Sequence, residues 1–377
     1  MKISIVHNFY RSSVPSGENF TVNMQAAALA EAGHDVQLVA SHSDDFVGKP
    51  LYPPVAAFNV ATGRGRSPLT EIQAFKADMV HVHNLFPNYS TRWLDVWEGP
   101  VVATLHNFRP LCANGLLFRD GHTCTLCPTS GQHNAIVHAC YRDSRLASAP
   151  LAFRNRKGPS GDVILSRANK LIVLSERTRN TYASFGVNSR KLLTLPNFID
   201  EIPGNGSIDY DAQYWIYAGR LTPEKGISRL LDMWPQYESL LIVGAGSDEE
   251  SIRSHARRRD NITFAGALTR GDLLRLLPSA HGVVIPSLCA ENLPTIYLEA
   301  LAAGLPVVAR SGNSAADDVE IWSPGTTYTS MESLAEALKR ARSTRHETSV
   351  AARKQFVAKY SKKSWVDSVS ELYESLQ

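Results

Sequence analysis

Two carboxylates stand eight residues apart in Glu291-Asn-Leu-Pro-Thr-Ile-Tyr-Leu-Glu299, and Ala300-Leu-Ala-Ala-Gly304-Leu-Pro306-Val-Val follows them. The pattern predicts a loop carrying Glu291 and a helix carrying Glu299 two turns in. The start of such a helix offers unbonded amides and a positive dipole end to an anion. Upstream, Gly219-Arg220-Leu-Thr-Pro-Glu-Lys225-Gly226 delivers two cations to a strand-to-helix loop. Either cation alone would be an ordinary surface salt-bridge partner. Together they suit a diphosphate, whose leaving oxygens gain charge as a bond to it breaks.

Histidines end two further apolar runs, His81 and His83 in one and His106 in the next. Alternation along a strand puts His81 and His83 on one face, with Val82 opposite. Pro15-Ser-Gly17-Glu-Asn19 follows the first strand, where Gly17 lets the backbone approach a phosphate or sugar closely. It is not Gly-x-Gly-x-x-Gly, so the nicotinamide-binding fingerprint is absent. Four of the five cysteines are Cys112, Cys124, Cys127 and Cys140, spaced x11, x2 and x12. Such a set can supply four thiolates to a structural zinc ion. An iron–sulfur cluster and four free thiols in a small subdomain are the other readings.

These residues need elements to position them. Short apolar runs alternate with amphipathic stretches, the signature of βα units around parallel sheets. Strands are predicted over 3–6, 36–40, 79–83, 101–106, 170–174 and 192–195 in the first half. In the second they fall over 215–219, 240–243, 261–265, 282–285 and 306–309. Helices are predicted over 18–32, with Gly33 as C-cap, over 248–259 and 295–303, and from 332 onward, the last over 364–376. The polar, turn-rich stretch 200–207 is the linker. Doubly wound sheets hold ligands at the carboxyl ends of their strands. If the two sheets face each other, the site is the cleft between them.

The Glu291–Val308 run and the Gly-Arg-Leu…Glu-Lys-Gly stretch resemble the retaining, group 1 glycosyltransferases of family four, which have the GT-B fold. The resemblance covers nearly the whole chain; only about 45 residues after His106 are unusual. It implies an α/β protein of two Rossmann-like domains facing a cleft. These would be an acceptor-side domain over 1–200, with its Cys-rich insert at about 107–150, and a nucleotide-sugar domain over 201–360. A last helix, 361–377, would pack back on the first domain.

By the resemblance, Glu291 would hold the donor sugar's hydroxyls and Glu299 the nucleotide ribose. Arg220 and Lys225 would grip the diphosphate beside Asn292 and the amides of Leu293 and Thr295. Gly17 would approach the donor, and His106 would sit by the transferred sugar. The chain departs from the family pattern at Ser16-Gly17, usually Gly-Gly. It departs again at Leu293-Pro294, usually Phe-Gly, where proline removes one backbone donor.

The implied activity is sugar transfer from a UDP- or GDP-sugar to a glycan or lipid-linked acceptor, in polysaccharide or cell-envelope glycan synthesis. A same-fold sugar-nucleotide epimerase and a non-catalytic sugar-binding subunit are the rivals. No cofactor is required by the family's front-face mechanism. The only Asp-x-Asp, Asp209-Tyr-Asp211, reads as surface charge in the linker zone. The formal net charge of +3 over 377 residues and the lack of an aromatic-interleaved basic stripe argue against nucleic acid. With no signal-peptide pattern and no long apolar run, a cytoplasmic protein is expected. The basic stretch from Tyr141 to Lys157, with Arg142, Arg145, Arg154 and Arg156, suits either peripheral contact with an anionic inner membrane face or plain solvation.

Overall fold

The computed structural model describes residues 1–12, 16–202 and 214–377. Pro15, residues 203–207 of the linker and Asp209-Tyr210-Asp211 lie outside the described residues. The chain divides into two compact units. One comprises Met1–Arg119, Cys124–Asn197 and Trp365–Gln377, and the other Asp120–Thr123 and Phe198–Ser364.

The first unit is built on six strands: β1 (Lys2–Phe9), β2 (Asp35–His42), β3 (Met79–Asn84), β4 (Val101–Leu105), β5 (Lys170–Val173) and β6 (Leu192–Thr194). They lie in the order β2-β1-β3-β4-β5-β6, and every pair is parallel. Order reverses between β1 and β3, which makes that junction the place for a ligand. β1 runs well past the predicted residues 3–6 because His7, Asn8 and Phe9 are buried with it, as is the polar Ser4 inside that range. Ser4 and His7 find hydrogen-bond partners in Gln37 and Asn19, which offsets the cost of hiding them. β4 stops at Leu105, one residue short of the expected end, so His106 emerges just beyond the sheet.

The helix Gly17–Glu31 follows β1. Ser16 caps it by accepting from the Asn19 amide, and Gly33, at φ +90°, turns the chain out of it. The helix Tyr52–Thr62 is one the sequence reading did not assign. Its Pro53 and Pro54 stand in the first turn, where a missing N–H breaks no intrahelical bond. The helix Lys362–Glu374 supplies Trp365, Val369 and Tyr373 to the core of the first unit.

The second unit has β7 (Tyr214–Ala218), β8 (Leu240–Val243), β9 (Ile262–Gly266), β10 (Ala280–Ile285), β11 (Val307–Arg310) and β12 (Thr327–Tyr328). Their order, β9-β8-β7-β10-β11-β12, is again fully parallel and reverses between β7 and β10. Both faces are covered. Ile216, Ala218, Val283 and Ile285 enter one apolar cluster, while Trp215, Tyr217 and Val284 enter another. That explains why these strands read as continuous apolar runs rather than alternating ones. The helix Thr295–Ala302 is buried from Ile296 to its end.

Candidate active site

In the second unit the motif residues gather at the β7/β10 junction. Gly219 and Arg220 leave β7, and one tight turn, Pro223–Lys225, carries both Glu224 and Lys225. Gly226 follows at φ +72°, where a Cβ would lie 2.2 Å from the Pro286 carbonyl oxygen, so only glycine fits. The close approach lets the Leu288 amide donate to the Glu224 carbonyl at 2.9 Å, which ties the two loops together.

Lys225 is thereby paired with Glu291. The Ser287 hydroxyl donates to the other Glu291 oxygen at 2.5 Å, and the Ser314 hydroxyl donates to the Glu291 carbonyl at 2.5 Å. Asn313 holds the Ser287 carbonyl at 3.2 Å. The Glu291 loop is thus fixed on three sides. Burial pulls the Lys225 ammonium down to about 8, with nearby Arg220 pulling the same way and Cys289 and Glu224 opposing. The Glu291 carboxylate beside it favours the charged form.

The other cation is also paired. Arg220 meets Glu224 at 3.1 Å, the guanidinium half exposed and the carboxylate nearly hidden. Glu299, in the second turn of its helix, is held by Arg270 at 3.2 Å. Burial raises the Glu299 carboxyl above the usual range, and Arg270 opposes the rise. Asn292 is buried and Leu293 packs on the sheet's apolar cluster. Thr295 opens the helix, and no side chain caps it at Pro294. Arg220, Lys225, Glu291, Asn292, Leu293, Thr295 and Glu299 are thus all carried by the second unit. Glu224, Ser287, Arg270 and Ser314 were not singled out from sequence. Glu224 sits inside the quoted motif, whereas the serines and Arg270 carry no spacing signal.

In the first unit, Gly17 opens its helix and the histidines line the β1/β3 junction. His83 Nδ1 and His106 Nε2 are 2.9 Å apart with stacked rings. Burial holds His106 down to about 3 and His83 well below its ordinary value, each lowered further by the neighbouring imidazoles. A neutral pair shares one proton, so one ring donates and the other accepts. His81 is engaged on both sides, Nδ1 with Tyr373 Oη at 2.6 Å and Nε2 with Thr104 Oγ1 at 2.8 Å. Its place is structural.

Two neighbouring polar residues were not singled out from sequence. Burial pushes the Glu18 carboxyl up to about 8, against the charge of Arg109 and hydrogen bonds with Tyr10 and Asn84. Its Oε1 is buried without a partner, as are His7 Nδ1 and His83 Nε2. The Arg109 guanidinium lies 4.2 Å over the Phe86 ring. Glu18 adjoins Gly17 in the loop already noted, which was a usable signal. Arg109, three residues after His106, gave none. His106 and Gly17 stand in the first unit and Glu291 in the second.

Cys112 and Cys127 are buried, and Cys124 and Cys140 half-buried. Among the described residues no group of three or more His, Cys, Asp or Glu side chains stands ready to hold a metal ion. Nor is any helix among them long and apolar enough to cross a membrane.

Comparison with known proteins covers both units. A family described as Glycosyltransferase Family 4 matches residues 16–201, and one described as Glycosyl transferases group 1 matches residues 212–343. The chain is 28% identical over 322 residues to a phosphatidyl-myo-inositol mannosyltransferase of Mycobacterium leprae, covering 80% of this chain and 76% of the relative. Among solved structures, sucrose-phosphate synthase from Thermosynechococcus elongatus superposes with a TM-score of 0.70 at 17% identity, over 100% of this chain and 98% of the other. HepE of Anabaena, in complex with UDP, does so at 0.64 and 16% identity over the whole of both chains. The fold is GT-B.

Proposed function

The chain belongs to the family-four, group 1 glycosyltransferases, and on that premise we propose that it is a retaining enzyme. It moves a sugar from a UDP- or GDP-sugar to a glycan or lipid-linked acceptor in cell-envelope or polysaccharide synthesis. One observation carries this reading above the rest: the Lys225–Glu291 pair, locked by Ser287 and Ser314 at the strand junction beside Arg220. A half-buried ion pair adds little stability over an apolar pair of similar size, so a use in binding is the better account of one set so firmly in a loop.

In this reading Arg220 and Lys225 receive the diphosphate, helped by the amides of Leu293 and Thr295 at an uncapped helix start. Glu291 then bonds the donor sugar's hydroxyls, with Asn292 beside it. Glu299 takes the ribose hydroxyls, its direction set by Arg270. Gly17 gives the donor a close approach to backbone. The neutral His106, backed by His83, hydrogen-bonds the transferred sugar or the acceptor hydroxyl without taking a charge. As the bond from the anomeric carbon to phosphate oxygen breaks, the acceptor oxygen bonds to that carbon on the same face. The acceptor proton passes to the departing phosphate, so atoms and charge balance without a metal.

A peripheral seat on the inner membrane face fits the same reading. The helices Tyr52–Thr62 and Arg145–Asn155 pack against each other. Near or within them Leu51, Val55, Phe58, Leu146 and Phe153 are exposed. Arg142, Arg145, Arg156 and Lys157 accompany them, a mix suited to an anionic lipid surface.

Calorimetry with UDP, GDP and ADP tests the donor half. Micromolar binding of one nucleotide, lost in Arg220→Ala with Lys225→Ala, is expected. No binding by any of the three sinks the proposal. Proton NMR of the first-formed product reads the anomeric configuration, and an inverted product removes the retaining assignment.

A further inference from the structure

The segment after β4 grips one side chain, Arg109, to which the transfer reaction gives no task. β3 and β4 are neighbours in the sheet, and their chains stay in contact beyond it. His83 meets His106 at 2.9 Å, and three residues on along each chain the Arg109 guanidinium lies 4.2 Å over the Phe86 ring. The second pair repeats the first one step further out. Both stand at the carboxyl ends of the strands, where doubly wound sheets take ligands. The Arg109 amide donates to Asn107 Oδ1 at 3.0 Å, and its carbonyl accepts from Asn155 at 2.7 Å. Nη1 donates to the Ala113 carbonyl at 3.3 Å. The Tyr141 ring, 6.1 Å from that of Phe86, stands 5.9 Å from the guanidinium. Backbone and head group are thus both fixed.

Three cations of the second unit face carboxylates: Arg220 meets Glu224, Lys225 meets Glu291 and Arg270 meets Glu299. Arg109 rests instead on a ring and a carbonyl. Stacking uses the face of a guanidinium and leaves its N–H edge to receive an oxyanion. Nε, on that edge, is buried without a hydrogen-bond partner. A buried donor of this kind is costly until an acceptor meets it. Glu18 is a poor counter-ion for the guanidinium, because burial pushes its carboxyl up to about 8.

We propose that Arg109 is an anion receptor of the first unit and takes an oxyanion carried by the sugar acceptor, either a phosphate or a carboxylate. The guanidinium fork meets two of its oxygens, the geometry that gives such pairs their strength. That the anion belongs to an acceptor rests on the glycosyltransferase reading; that Arg109 binds one does not. Recognition and chemistry then fall to separate side chains. Arg109 fixes the acceptor by its charged group, while the neutral His106, three residues earlier, bonds an uncharged hydroxyl.

The test reads the Arg109 Nε–H resonance by NMR in protein labelled with ¹⁵N-arginine. Its absence from Arg109→Lys identifies the signal, and its Overhauser contact with the Phe86 ring does so independently should that variant fail to fold. Methyl phosphate, methyl glucuronide and the uncharged methyl glucoside are titrated separately at constant ionic strength, with no nucleotide present. A saturable shift with an anion and none with methyl glucoside is the expected result. Binding of that anion should weaken about tenfold or more in Arg109→Lys, which keeps the charge but loses the fork. The anion that binds more tightly names the source, phosphate or uronate. A resonance that neither anion moves, or that methyl glucoside moves equally, overturns the proposal. Because the nucleotide is left out, failure here leaves the donor site standing. Failure of UDP, GDP and ADP to bind wild type would instead remove the acceptor and leave the anion site.

Discussion

The two sheets present opposite kinds of surface at their strand ends. In the second unit, Arg220, Lys225, Glu224, Glu291, Glu299 and Arg270 form three ion pairs, charge held against charge. In the first, His7, His81, His83 and His106 are all held neutral by burial. The difference teaches what each can do. Paired cations can yield to an incoming diphosphate, because a new anion replaces one already there. Uncharged imidazoles can hydrogen-bond a hydroxyl while leaving its proton count unchanged. Topologically the sheets are near twins; the side chains at their strand ends differ.

The sharpest way to break this contrast is Lys225→Ala. It strands Glu291 in a half-buried site, so transfer should fall about 10²–10³-fold, with a stability loss of about 3 kcal/mol in urea unfolding. Adding Glu291→Gln to Lys225→Met should recover much of the stability and none of the activity. If activity returns too, the pair is scaffolding.

Next comes His106→Ala, which should lower kcat about 10²-fold while leaving nucleotide affinity as it was. Loss of nucleotide binding would move His106 to the donor's charged end and blur the contrast.

A smaller effect follows from pH. A histidine whose folded pKa lies below its unfolded value of about 6.5 binds its proton more readily when unfolded. The histidine contribution to stability should therefore be flat above pH 6.5 and be lost as pH drops towards 4, where His7 titrates in the folded chain, while Glu18, raised to about 8, works in the opposite sense between 4.5 and 8. The slope is at most about 1.4 kcal/mol per pH unit for each such histidine. Urea melts at pH 7 and pH 5 read it, and His7→Asn should flatten the curve. The least change belongs to Glu249→Ala, which breaks the surface pair with Arg253 and should shift stability by no more than about 0.5 kcal/mol.

Much of this was legible in the sequence. Buried parallel strands announce themselves as apolar runs, and Leu240–Val243 falls where it was read. Glu291, Arg220 and Lys225 were recognisable because they fall in the Glu291–Glu299 and Gly219–Gly226 runs whose spacing resembles the family's. What escaped was partnership. That Lys225 would meet Glu291, 66 residues on, depends on Gly226 admitting the Pro286 backbone, and no local pattern encodes it. The polar ends of β1 and β3 were cut short for a related reason. His7 and Asn84 look like turn residues until their buried partners are known. Helices such as Tyr52–Thr62 were hidden because Pro53-Pro54 reads as punctuation, though proline is welcome at a helix start.

The Tyr373–His81 contact spans 292 positions of sequence within one unit. Nascent chains tend to fold unit by unit from the N-terminus, and here that order is interrupted. The central strand β3 cannot gain its last neighbour until the entire second unit has been translated. Between those moments the first sheet exists with an unfilled seat beside His81, and chaperones or aggregation compete for it. The late-arriving helix acts as a timer on maturation, so clipping it should harm yield in the cell before it harms any purified, already folded molecule.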